Sequence, residues 1–279
     1  MNPLITPAEL LALLPTRPVV LLDARSGPTA RQAYEAQHLR GALPIDLDQD
    51  LAGPAANPAE GGRHPLPDLP AFARVLGRLG IGPDSQVVVY DDKAAANAAA
   101  RCWWMLRAVG HAAVQVLDGG LGAALTAGVP TSAGTETPIP APPYPVDVWQ
   151  LSTATADDVE RATQSSSHLV IDVREAGRYR GEFEPIDLVA GHIPGAVSVP
   201  FGSNLAEDGT YLAPAELRQK YQEVFGSHAP AEVIFHCGSG VTACHSLLAI
   251  AQAGWPIPQL YVGSWSEWSR SGRPIATGE

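Results

Sequence analysis

At 279 residues the chain is long for a single core and suits two domains of roughly 130 residues each. Hydrophobic residues make up 46% and charged residues 17%, an ordinary balance for a globular protein with apolar material enough for two cores. The formal net charge of -11 excludes the basic face with which sequence-independent nucleic-acid binders displace counterions, and no apolar run reaches the length of a bilayer span.

Three cysteines, Cys102, Cys237 and Cys244, show neither paired spacing nor zinc-type clustering. No disulfide framework and no metal site is therefore expected, and a reducing, cytoplasmic compartment fits best. A small anionic substrate would need local arginines.

In chain order, the first half opens with an apolar run, Val19–Arg25, that closes on Asp-x-Arg, and continues into Tyr34-x-x-x-His38-Leu-x-Gly41-Ala42. A helical pattern over Leu69–Leu79 precedes a buried strand at Gln86–Tyr90, then a second helical pattern over Ala94–Val109, then Leu117-Asp-Gly119-Gly120 and Gly128-Val-Pro130. Thr131–Pro145 holds five prolines without helical or strand period and reads as an extended linker.

The same signals then return in the same order. Leu169–Arg174 again closes on Asp-x-Arg, Gly191-His192-Ile-Pro-Gly195-Ala196 repeats the His-x-x-Gly-Ala motif, Glu232–His236 matches Gln86–Tyr90, and Tyr261-Val-Gly263-Ser264 with Gly272-Arg-Pro274 closes the set. Four ordered matches mean an internal duplication. Pro214–Phe225 and Val241–Ala253 supply the second half's helices. Short buried strands alternating with helices predict the α/β class, each half a mostly parallel sheet flanked by helices. The expected domains are 1–130 and 146–279, joined by 131–145.

The best nucleophile candidate is Cys237, delivered by an apolar strand into Gly238-Ser239-Gly240-Val241-Thr242 just before a helix. Gly238 and Gly240 let successive N–H groups curl around one point, and the helix start adds its positive end. Such a nest favours thiolate over thiol and holds an extra sulfur or an oxyanion. The plainer reading, a buried structural thiol, does not need glycines on both sides of a serine at a helix mouth. A Cys-dependent phosphatase or arsenate reductase would close a wider loop with an arginine six positions on, where this chain has Ala243. Aligning Tyr90 with His236 sets Asp91 against Cys237, so the first copy has no nucleophile; Cys102 and Cys244 read as packed thiols.

The loop Cys237–Thr242, together with the duplication, resembles the rhodanese superfamily, in the form typical of 3-mercaptopyruvate sulfurtransferases and many bacterial thiosulfate sulfurtransferases. The resemblance implies a silent N-terminal copy that covers the active loop, an active C-terminal copy, and ping-pong transfer of sulfur from a small anionic donor through a Cys237 persulfide to cyanide or to a thiol acceptor such as a thioredoxin-type dithiol. It implies no cofactor. The other class of function left open is a non-enzymatic persulfide carrier or interaction module.

A sulfur donor of this kind is anionic, and Arg178, in a glycine-flanked loop after the Asp172 strand, is expected at the same C-terminal strand edge as Cys237. By resemblance it binds the donor's acid group. The chain departs from the mercaptopyruvate pattern at Glu184-Pro185-Ile186, where a second arginine is usual, and from thiosulfate rhodaneses at Gly238-Ser239, where a basic pair is usual. Arg180 is the expected substitute. The resemblance also matches Asp48 and His64, in Gly61-Gly62-Arg63-His64-Pro65, to positions that polarise Ser239 as a proton relay. His38 and His192, and the pairs Asp23–Arg25 and Asp172–Arg174, occur once per copy and are expected to be structural; Trp265 and Trp268 are expected as wall or core.

Overall fold

In the computed structural model, which describes residues 1–165 and 167–279, the chain divides into two units, each built on one five-stranded parallel sheet. The first comprises Met1–Gly53, Pro67–Gln150 and Glu207–Thr210; the second comprises Pro54–Leu66, Leu151–Ala206 and Tyr211–Glu279.

The first unit holds strands β1 (Leu4–Ile5), β2 (Val19–Asp23), β3 (His38–Leu39), β4 (Leu43–Pro44), β5 (Gln86–Tyr90), β6 (Val114–Leu117) and β7 (Thr131–Ser132) with helices α1 (Pro7–Leu13), α2 (Ala30–Ala36), α3 (Leu69–Arg78), α4 (Ala98–Ala108) and α5 (Gly120–Thr126). The second holds β8 (Thr153–Ala154), β9 (Leu169–Asp172), β10 (Val197–Ser198), β11 (Val233–His236) and β12 (Gln259–Tyr261) with α6 (Ala156–Thr163), α7 (Ala176–Arg180), α8 (Pro214–Phe225), α9 (Ala243–Gln252) and α10 (Ser264–Trp268).

Strand order is β1-β6-β5-β2-β4 in one sheet and β8-β12-β11-β9-β10 in the other, the same topology twice. Register repeats too: Asp23 lies opposite Tyr90 and Asp172 opposite His236. The central strands are apolar runs because helices cover both faces, and β5 and β11 are buried throughout. Both units begin with the same device. Thr6 caps α1 and Thr155 caps α6, each reciprocated by an acidic residue three positions on, Glu9 and Asp158.

The duplicated motifs are structural, as expected. Tyr34 and Tyr179 donate their hydroxyls to Ala42 O and Ala196 O, at 2.8 and 2.6 Å. His38 and His192 stack on these tyrosines and bond their backbone oxygens through Nδ1. Arg25 and Arg174 fold back on Asp23 and Asp172 as bidentate pairs at the strand ends. Trp265 and Trp268 are buried, and so are the thiols of Cys102 and Cys244. Burial pushes the Cys102 thiol far up, so it stays protonated and inert.

Three details differ from expectation. The proline-rich stretch opens as β7, paired antiparallel with β3, and then lies along α3, where Ala141 N–H and Tyr144 N–H donate to Gly77 O and Ala73 O. It packs with the first unit, whose edge falls at Gln150. Arg178 stands on the short helix α7 rather than in a loop. Helix α4 begins at Ala98, four residues later than its alanine-rich pattern suggests, because Ala94 and Ala95 turn left-handed to serve Asp91.

Candidate active site

Strand β11 ends at His236 and hands Cys237 to a turn that runs into α9. The turn is pinned from α10: Trp265 N–H donates to Cys237 O at 3.0 Å and Ser266 N–H to Gly238 O at 2.8 Å. From the first residue of the same helix, Ser264 Oγ accepts from the Cys237 N–H at 3.2 Å, and that hydroxyl donates to Tyr261 O at 2.8 Å. Ser264 makes both bonds from a left-handed φ of 53°, a strained conformation for a residue with a Cβ. The backbone of Cys237 is therefore fixed on both its donor and its acceptor.

Gly240 has φ +72°, and a Cβ on it would meet Val262 O at 2.5 Å, so the turn closes this tightly only with glycine. Among the described residues, the N–H groups of Ser239, Val241 and Thr242 donate to no protein acceptor. These are the loose donors at the mouth of a helix, available to an anion at the end of β11. Cys237 itself is 2% exposed.

Ser239 carries the clearest polar contact in the turn. Its Oγ lies 2.8 Å from His64 Nδ1. His64 belongs to Pro54–Leu66, a segment that precedes α3 in sequence but packs with the second unit. It docks on α10, with Gly61 N–H donating to Glu267 Oε1 at 2.9 Å and Arg63 N–H to Ser266 Oγ at 3.0 Å. Asp48 lies in the first unit, in the turn after β4, where its N–H donates to Asp46 Oδ1.

Beside the turn stands a layer of paired charges. Arg178 clamps Glu184 through Nε and Nη2, at 3.1 and 2.6 Å. Burial alone would push the Glu184 carboxyl up, but the Arg178 bonds and the N–H groups of Asp187 and Ile186 outweigh it and hold it below the usual range. Arg63 clamps Asp187 in the same bidentate way, and Arg270 Nη1 reaches the same carboxylate at 3.0 Å. A methyl group on Gly238 would sit 3.1 Å from Arg63 Nη2 and 3.6 Å from Arg178 Nη2. Deeper in, Asp172 is held ionised: burial pushes it up, but His236 and Arg174 pull it below its usual value, while burial pushes the His236 imidazole down.

The structure thus gathers Cys237, Gly238, Ser239, Gly240, Val241, Thr242, His64 and Arg178 at one end of the second sheet. Arg180 is elsewhere engaged, in an exposed ion pair with Glu182. Sequence reasoning passed over Arg63, Asp187, Ser264 and Arg270. Arg63 lies next to a residue that was singled out; Ser264 was visible only as the place where the second copy breaks the Gly-Gly of the first.

A five-stranded parallel sheet present twice, with a cysteine at the strand-to-helix turn of the second copy, is the plan of one family. The family model for the rhodanese-like domain matches residues 6–126 and again 155–271, and the chain belongs to that family. A Pseudomonas aeruginosa protein described as "Probable 3-mercaptopyruvate sulfurtransferase" is 40% identical over 99% of this chain and 98% of its own. The thiosulfate sulfurtransferase of Rattus norvegicus is 37% identical over 88% of this chain and 82% of its own. Among solved structures, 3-mercaptopyruvate sulfurtransferase from Leishmania major superposes with a TM-score of 0.84 at 28% identity, over 97% of this chain and 75% of that one. Within the family, the chain is a sulfurtransferase of the 3-mercaptopyruvate or thiosulfate type.

Proposed function

We propose that the protein takes sulfur from 3-mercaptopyruvate, carries it as a Cys237 persulfide, and passes it to a thiol or to cyanide. The observation that carries this choice of donor is the 2.8 Å contact between His64 Nδ1 and Ser239 Oγ, two residues after the nucleophile. Sulfite leaves thiosulfate as a stable anion and needs no proton. Pyruvate leaves mercaptopyruvate as an enolate and does.

In the forward step the Cys237 thiolate attacks the donor sulfur, a sulfur–sulfur bond forms, and the donor's carbon–sulfur bond breaks with its electron pair on the methylene carbon. The proton of the donor thiol passes by way of Ser239 and His64 to that carbon, giving pyruvate and a deprotonated persulfide. The loose N–H groups of Ser239, Val241 and Thr242 are the donors that stabilise the terminal sulfur, and Gly238 and Gly240 keep the turn narrow enough for them to converge. Arg178 meets the donor's carboxylate. A thiol acceptor then attacks the outer sulfur and frees Cys237.

His64→Gln tests the choice. It should lower kcat for 3-mercaptopyruvate by about 10² to 10⁴-fold, while thiosulfate turnover stays within about threefold. Equal losses on both donors, or none on either, overturn the assignment. By resemblance Asp48 orients His64, so Asp48→Asn should lower the same rate by a smaller factor. Steady-state release of pyruvate separates turnover from a stoichiometric persulfide carrier.

A further inference from the structure

We propose that Arg63 is a second donor-binding cation, gripping the acid group of the sulfur donor opposite Arg178, with Asp187 as the residue that positions it. The inference rests on the sulfur-transfer reading above and goes beyond it by naming a side chain that comes from a segment distant in sequence.

Three observations converge. The first is placement: Nη2 of Arg63 and of Arg178 lie 3.1 and 3.6 Å from where a side chain on Gly238 would begin, next to the nucleophile and nearer to that point than Asp187 Oδ2 at 3.8 Å. The second is the arrangement of charge. The side chains of Asp187 and Glu184 are 0% and 3% exposed, while Arg63 and Arg178 keep 24% and 12% of theirs open. The acids lie behind and the cations face out. Four guanidiniums, of Arg63, Arg178, Arg270 and Arg174, meet the three carboxylates of Asp187, Glu184 and Asp172, so positive charge is in surplus by one in this layer, and an anion is drawn to it.

The third is donor geometry. Each guanidinium offers five N–H groups in a fixed fork. Arg63 spends Nε and one Nη2 hydrogen on Asp187, and Arg178 spends the same pair on Glu184, which leaves the outer edge of both forks for a carboxylate or a sulfonate oxygen. The backbone of Arg63 is tied to Ser266, so its fork is aimed before any donor arrives. Arg180, in its exposed pair with Glu182, has no such aim.

The test compares Arg63→Gln and Arg63→Lys with the wild-type chain on 3-mercaptopyruvate, on its neutral ethyl ester, and on thiosulfate. Arg63→Gln should raise KM for the anionic donors by about 10 to 100-fold with kcat changed by less than about threefold. Arg63→Lys should fall between, and the ester should turn over equally well in all three proteins. Binding of pyruvate, followed by titration calorimetry, should weaken in parallel. An unchanged KM, or an equal loss on acid and ester, overturns the proposal. Should the wild-type protein use thiosulfate and not 3-mercaptopyruvate, the donor assignment fails while Arg63 is still judged by the KM for thiosulfate and by the pyruvate titration.

Discussion

The ends of β5 and β11 are the same corner built twice and filled in two ways. In the first unit Tyr90 O accepts from Ala24 N–H and Asp91 O from Leu121 N–H; in the second His236 O accepts from Val173 N–H and Cys237 O from Trp265 N–H. These two backbone bonds recur at both corners. At the first corner the Asp91 carboxylate accepts from the N–H groups of Lys93 and Ala95, each at 2.9 Å, and of Ala99 at 3.3 Å. Ala94 and Ala95 take positive φ to reach it. At the second corner the N–H groups of Ser239 and Val241, at the places of Lys93 and Ala95, donate to no protein acceptor among the described residues, while His245 N–H, at the place of Ala99, donates to Thr242 O; a sulfur stands where the carboxylate would be. The first corner thus supplies its own anion, and the second leaves backbone donors free for a foreign one.

The sharpest way to break this comparison is to move the carboxylate. Cys237→Asp imports the first corner's solution into the second; persulfide formation, read by mass spectrometry as one added sulfur, should vanish and sulfur transfer should fall by at least about 10³-fold, as for Cys237→Ser. The melting temperature should stay within about 5 °C of wild type. Labelling of Cys244 in the wild-type protein would defeat the assignment outright.

Removing the internal anion is the next largest effect. Asp91→Ala strands three backbone donors and should cost about 3 kcal/mol in urea unfolding. Asp91→Cys should form no persulfide, because the loop behind it lacks the glycines of the second corner.

A smaller effect distinguishes Ser264 from its counterpart Gly120, which takes φ +60° at the same point of the first unit. Ser264→Gly relieves strain but removes the acceptor for the Cys237 N–H, and the net loss should be about 1 kcal/mol, or a melting temperature lower by about 2–4 °C.

Two carboxyls, one in each unit, should also answer acid in opposite senses. The folded Glu184 carboxyl is held below its ordinary 4.5, so its stabilisation is complete above that value and is lost as pH falls further. Burial pushes Asp91 above its ordinary 3.8, against three N–H bonds that pull it down, so its contribution is present in acid and is lost as pH rises through the folded value. Glu184→Gln should therefore flatten the acid limb of stability against pH, and Asp91→Asn should steepen it, as read from urea unfolding between about pH 7 and 4.

Much of this was legible from residue order alone. The duplication was visible because strand-end Asp-x-Arg and His-x-x-Gly-Ala motifs are local, and the structure returns them as matched clasps. Strand β5 and helix α8 fall where hydrophobic pattern and Pro214 put them. Cys237 stood out because glycines around a serine at a helix mouth have few uses other than binding. What pattern could not show was convergence across long stretches of sequence. Arg63 and Asp187 meet over 124 positions, and Arg270 joins them from the far end of the chain. The start of α4 was misplaced for a related reason: alanines favour helix, and only the bonds to Asp91 explain why two of them abandon it.

The excursion of Pro54–Leu66 into the second unit makes the two halves inseparable as genes. A fragment cut at Leu151 would keep its cysteine and its helix mouth yet arrive without His64 or Arg63. The first repeat thereby carries, as the stem of a graft, a segment that packs on the second, and a cut between the repeats parts that segment from the turn it touches.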